Sequence, residues 1–154
     1  ARMILSGEDP KFIARRIMIC ASEDVGNADP MALVVATNAA LAVERIGFPE
    51  GRIILSHAAL YIAMAPKSNS AITGIDEAID YIKAHPSNDV PDYLKDAHYA
   101  SAGKLGRGVG YIYPHDYPAH YVFQRRFYHN SHVGYEKQQA DYLNAIRRRN
   151  ERGT

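Results

Sequence analysis

The sequence predicts an all-α fold, a compact multi-helix domain with a long ordered loop region after the fourth helix. Three observations predict it. Acidic residues stand directly before prolines at Asp9-Pro10 and Asp29-Pro30, the pattern of a capped helix start. Apolar residues recur at helical spacing through the first half, with glycine or proline where the spacing stops. Between Met31 and Val43 only Thr37 and Asn38 are polar, so a helix there is apolar nearly all round and must be covered on nearly all sides.

The first helix starts at Pro10, with Ile13, Ile17, Cys20 and Ala21 on one face and Arg15, Arg16, Glu23 and Asp24 mostly elsewhere; Gly26-Asn27 allows the turn. The second runs from Pro30 to Ile46 and is ended by Gly47 and Pro49. Its apolar run falls short of the ~18 to 20 residues a bilayer needs, and Asp29 and Glu44-Arg45 bound it, so it is not a membrane span. The third, from Glu50 to Ala65, keeps only Ser56, His57 and Tyr61 as polar features within its apolar stretch and is stopped by Pro66. The short Gly47-Phe48-Pro49 link makes the second and third helices an antiparallel hairpin, and their alanines permit close backbone approach. Two such apolar helices in a chain of 154 residues point to surface that meets another subunit; a central hairpin wrapped by its own neighbours is the other solution.

The fourth helix, Ser70 to Ala84, is amphipathic, with Ile72, Ile75, Ile79 and Ile82 on one face. A short helix is expected from Pro91 to Ala97, and a glycine-rich stretch follows. The prolines of Tyr111 to Pro118 forbid a central strand, which leaves an ordered loop packed by its rings. The last helix, Gly134 to Asn150, carries a narrow stripe of Tyr135, Tyr142, Leu143 and Ile146 beside much charge.

A chain of this length fits one domain, residues 1–154, with no linker long enough to divide it. Its opening residues lack a starting methionine and a signal-peptide core, and are expected to follow directly on a longer upstream protein. Cys20 is the single cysteine, which rules out an intrachain disulfide and fits a reducing compartment. The formal net charge of +1 removes a global electrostatic argument for nucleic acid and leaves only local patches.

The residues that invite chemistry fail on spacing. The run Gly103 to Gly110 contains Gly-Lys, but a phosphate loop needs a glycine where His98 stands and a hydroxyl where Leu105 stands. Its glycines follow no predicted strand and precede no helix, so the dinucleotide fingerprint is missing too. His115, Asp116, His120, His129 and His132 match no metal-ligand frame, and no nucleophile elbow is present. Cys20, mid-helix on an apolar face, is expected to be an inert thiol of raised pKa. These mismatches leave no catalytic residue, cofactor site or metal site in the reading. Arg147, Arg148 and Arg149, with Lys67, are candidates for phosphate contact, although arginines in a last helical turn also answer the helix dipole. At Ala65-Pro66-Lys67-Ser68-Asn69, Pro66 ends one helix and Ser68 or Asn69 caps the next, which reads as a structural corner.

Glu8-Asp9-Pro10 through Arg16, Ala21 to Gly26, Ala28-Asp29-Pro30, Ala65 to Asn69 (Pro66, Lys67, Ser68 and Asn69 above all), His115-Asp116-Tyr117-Pro118, Phe127-Tyr128 and Gly134-Tyr135-Glu136 together resemble the C-terminal region of the RarA/MgsA family. The family's further Tyr-Leu-Pro segment, expected between Gln124 and Arg125, is missing here. The resemblance implies a bacterial, cytoplasmic AAA+ ATPase, related to the Werner helicase interacting protein and to clamp loaders, that acts in DNA replication, recombination and repair. It implies that ATP and Mg belong to an upstream motor and that this piece binds no cofactor. It also implies an all-helical domain resembling the clamp-loader collar, which assembles the protein into a homotetramer, with DNA and replication proteins as further partners and no membrane.

Overall fold

A computed structural model describes residues 1–86, 90–113 and 125–152 of the chain. Among these residues it contains α-helices and shorter helical turns and no strand: α1 (Arg2–Leu5), α2 (Pro10–Cys20), α3 (Met31–Ile46), α4 (Gly51–Met64), α5 (Ser70–Ala84) and α6 (Tyr135–Arg152). None is long and apolar enough to cross a membrane. The chain falls into two compact units. The first comprises Ala1–Asp76 and Arg126–Asp141, and the second Glu77–Arg125 and Tyr142–Thr154, as far as these are described.

In the first unit α2, α3 and α4 pack on one another. Both predicted acidic caps form. Asp9 Oδ1 accepts the Lys11 N–H at 3.0 Å, and Asp29 Oδ1 accepts the Met31 N–H at 3.1 Å. Asp29 does more than cap, because its second oxygen accepts the Tyr61 hydroxyl of α4 at 2.9 Å and so ties the start of α3 to the end of α4. That bond, with burial adding to it, raises the Tyr61 pKa.

The core is made largely of small side chains. Ala21, Val25, Ala32, Ala36 and Ile62 form one cluster, and Ile13, Ala14, Val43 and Leu55 a second. Alanine on both sides of the contact lets the backbones approach closely, as the composition predicts. The expectation that the helix after Asp29 is covered nearly all round is not met within one chain. Ala32, Ala36, Ala39 and Val43 are buried, while Met31, Leu33, Val34, Leu41 and Ile46 remain exposed.

Three local features differ from the sequence reading. The single turn α1 is too short to leave a periodic signal. Before the expected turn at Gly26-Asn27, α2 runs on into a π-helical turn, Ala21–Val25. The carbonyl of Asp24 in that turn accepts the Ser68 N–H at 2.8 Å, a tertiary bond that periodicity cannot register. The helix expected at Pro91 to Ala97 shrinks to a 3-10 turn, Asp92–Leu94. The Asp92 carbonyl, which a continuing helix needs, is taken at 2.8 Å by the Gly108 N–H of the glycine-rich segment. That segment holds a 3-10 turn, Ala102–Leu105, and left-handed glycines at 106, 108 and 110, so the glycines serve tight turns.

Replacing Asp29 with alanine removes the cap and the Tyr61 acceptor together. Urea denaturation is expected to show a loss of about 0.5 to 2 kcal/mol. Asp29→Asn, which keeps a capping oxygen, recovers most of it, and Tyr61→Phe, which keeps the cap, loses less than Asp29→Ala.

Candidate functional site

Three separate stretches of sequence meet at one corner of the first unit: Asp24 to Ala28, Ala65 to Ser70, and Asn130 to Glu136. Gly26 (φ +51°) allows the first approach, since a Cβ there would lie 3.0 Å from the Ser68 carbonyl oxygen. Gly134 (φ +55°) allows the second; a Cβ there would overlap the Ala28 carbonyl and come within 2.8 Å of Pro66 Cγ. Both glycines therefore hold positions where conformation and close contact each exclude a side chain.

Glu136, the second residue of α6, closes the corner and is 1% exposed. One carboxylate oxygen accepts the hydroxyls of Ser68, at 3.0 Å, and of Ser70; the other accepts the Ser131 N–H at 2.7 Å and the Ser131 hydroxyl at 2.5 Å. Burial pushes the Glu136 pKa up, but the Ser131, Ser70 and Ser68 donors together hold it below the ordinary carboxylate value. No ammonium or guanidinium is among these donors. Because Ser70 opens α5 and Glu136 lies in the first turn of α6, the charge also sits at the positive ends of two helices.

The predicted corner residues divide their work. Pro66 packs against Gly134. The Lys67 ammonium donates to the carbonyls of Ile62 (2.7 Å), Ala63 (3.3 Å) and Ala65, closing the negative end of α4. Ser68 is buried and its hydroxyl also receives the Ser70 N–H at 3.2 Å, while Asn69 is exposed. An open cavity of about 490 Å³ lies beside them, lined by Asp24, Lys67, Ser68, Asn69 and Ser131. Asp24 accepts the Cys20 thiol at 2.9 Å, and that bond, ahead of burial, raises the Cys20 pKa. The direction is the expected one, but the leading cause is a carboxylate partner and not the apolar face alone.

The second candidate surface is the outer side of the α3–α4 hairpin. Met31, Val34, Asn38, Leu41 and Arg45 stand opposite the buried residues of α3, and Ile53, His57, Leu60 and Met64 opposite those of α4. The six apolar members are between 47% and 79% exposed. His115, Asp116, Tyr117 and Pro118 lie outside the described residues, as do the side chains of Arg147 and Arg149; Arg148 is exposed on α6.

Glu136 was legible in the sequence only as part of a motif. An acidic residue in a first helical turn reads as a dipole partner, and nothing local reveals that Ser68 and Ser70 arrive from 60-odd positions away.

A family model described as the C terminus of the MgsA AAA+ ATPase matches residues 1–152. The chain is 50% identical over 125 residues to replication-associated recombination protein A of Bacillus subtilis, covering 81% of this chain and 30% of that protein. The protein of the same name from Escherichia coli K12 is 39% identical over 146 residues, covering 88% and 33%. An ATPase, WRNIP1, of Dictyostelium discoideum is 38% identical over 114 residues, covering 74% and 13%. The chain thus spans a third or less of the length of these relatives.

Replacing Glu136 with glutamine keeps the shape and removes the charge that four donors converge on. At pH 7 the variant is expected to lose about 1 to 3 kcal/mol in urea denaturation. The folded-state pKa of Glu136 is lowered, so its contribution is fully present above the unfolded value of ~4.3 and is lost as pH falls through the lower folded value. The gap between wild type and variant is therefore expected to hold from pH 7 to about 5.5 and to narrow below about pH 4. A gap that widens on acidification would contradict the assignment.

Proposed function

The chain belongs to the MgsA AAA+ ATPase C-terminal family, and on that premise we propose that it is the oligomerisation domain of a replication-associated AAA+ ATPase, joining copies of itself through the α3–α4 hairpin. The observation that carries the reading is the row of large apolar side chains left exposed on those two helices, Met31, Val34 and Leu41 on α3 and Ile53, Leu60 and Met64 on α4. Burying the six half-exposed outer side chains is worth roughly 1 kcal/mol each, enough to matter against the cost of association.

In this reading the closed arrangement is the homotetramer that the resemblance implies, a symmetric ring of identical contacts. The fragment itself performs no catalysis. ATP and Mg are handled by the motor of the longer protein, and the domain serves DNA replication, recombination and repair in the bacterial cytoplasm by holding motors together. Replication proteins at the fork are further proposed partners. The relatives named for replication-associated recombination support the setting.

A second reading gives α6 a role in DNA contact through Arg147, Arg148 and Arg149, favoured by the exposure of Arg148. Lys67 contributes less to it than the sequence suggests, because its ammonium already serves three carbonyls. Binding through several phosphates must weaken steeply with log salt, whereas a salt-indifferent or absent gel shift counts against this reading.

Light scattering at micromolar concentration is expected to return the mass of an oligomer for the wild type. Ile53→Glu with Leu60→Glu places two charges on the outer face of α4 and is expected to return a monomer of unchanged helix content. A monomeric wild type, or an assembly indifferent to the double substitution, would remove the assembly role from this hairpin.

A further inference from the structure

Helices α5 and α6 are seated by a different means from the helices before them. Among the described residues, Ser70 alone is buried on α5 and Glu136 alone on α6. These two side chains bond to each other, the Ser70 hydroxyl donating to a carboxylate oxygen of Glu136. Each helix is therefore held by one polar side chain in its first turn, and the two seats belong to one network. Apolar burial adds little, since Ile75, Ile79 and Ile82 of α5 and Tyr135 and Tyr142 of α6 are exposed. The packing of α2, α3 and α4 is of another kind, built on two apolar clusters to which α5 and α6 contribute no residue.

We propose that α5 and α6 form a strap that opens and closes as one cooperative element, latched by Glu136 through Ser68, Ser70 and Ser131, while α2, α3 and α4 stay folded. The inference goes beyond the assembly reading and does not depend on it. Both helices begin at the latch and run on, α5 into the second unit after Asp76 and α6 after Asp141. Helices of 15 and 18 residues are marginal by themselves in water, and Gly74 weakens α5 further. Their order thus depends on the seat from which they start.

The chemistry of the latch ties the two helices together. A carboxylate surrounded by its donors is stable in the corner, but one that has lost Ser68 and Ser70 is a buried charge short of partners. When the first turn of α5 leaves, Glu136 must leave for water and take α6 with it. The reverse holds as well, because the buried hydroxyls of Ser68 and Ser70 lose their acceptor when α6 goes. Half-seated arrangements are costly from either side, and that cost makes the opening a single event. The apolar clusters of α2, α3 and α4 lose none of their members when the strap opens.

Native-state hydrogen exchange of the whole chain at pH 7, in steps of urea below the unfolding transition, tests this. Amides in the middle of α5 and of α6 are expected to converge on one opening equilibrium, more populated than the opening that exposes the middle of α3 and α4. Glu136→Gln is expected to speed exchange in both helices by a common factor of roughly 5 to 150. Ser70→Ala, a change on α5, is expected to speed α6 by the same factor as α5, because coupling is reciprocal. Ile13→Val, in the second apolar cluster, destabilises the closed and the open strap alike. It is expected to speed α3 and α4 roughly 2- to 10-fold and to leave α5 and α6 unchanged. Three results would each overturn the inference: α5 and α6 opening on separate isotherms in the wild type, Ser70→Ala moving α5 alone, or Ile13→Val speeding all the helices equally, the mark of one global unit. The wild-type isotherms decide the matter even where a variant fails to fold.

Discussion

The constraint on which this structure depends is the use of alanine at the contacts among α2, α3 and α4. Ala14, Ala32, Ala36, Ala39 and Ala58 are buried there, where the helices pack on one another. A core of small side chains has a consequence for the rest of the surface. Leu41, Ile53, Leu60 and Met64 lie outside it, on the exposed sides of α3 and α4. The core keeps Ile13, Leu55 and Ile62 and leaves other large apolar groups exposed.

The corner around Glu136 solves a different problem, that of fixing the start of α6 to helices far away in sequence. Apolar packing is non-directional and does not by itself choose one docking of a helix end. A buried carboxylate does, because it tolerates only the arrangement in which its donors are all present. Ser68, Ser70 and Ser131 supply those donors, and Gly26 and Gly134 supply the room. Lys67, which precedes Ser68 in the chain, gives its charge to the end of α4, and the carboxylate is held by hydroxyls, an N–H and helix ends.

Position in this arrangement separates residues of similar type. Asp9 and Asp29 both precede a proline and both cap, yet only Asp29 also bridges to another helix. Asn38 and Asn69 are both exposed asparagines, yet Asn38 sits in the middle of an apolar seam and Asn69 on the rim of a polar corner. Glycines divide in the same way: those at 106, 108 and 110 turn the chain, whereas Gly26 and Gly134 admit another segment's backbone.

The order and type of the long helices were legible in the sequence, because capping acids, glycine and proline stops and a 3.6-residue period are local signals that need no partner. The family was legible for the same reason, its motifs being unbroken runs. The π turn at Ala21–Val25, the truncated helix at Asp92 and the seat of Glu136 were not, since each depends on a hydrogen bond from a residue distant in the chain. Sequence alone established that α3 and α4 carry more apolar surface than an ordinary helix. Which side of each helix is buried and which presents leucine, isoleucine and methionine to solvent was decided only by the packing of α2, α3 and α4, because a helix apolar all round has no face until its neighbours choose one.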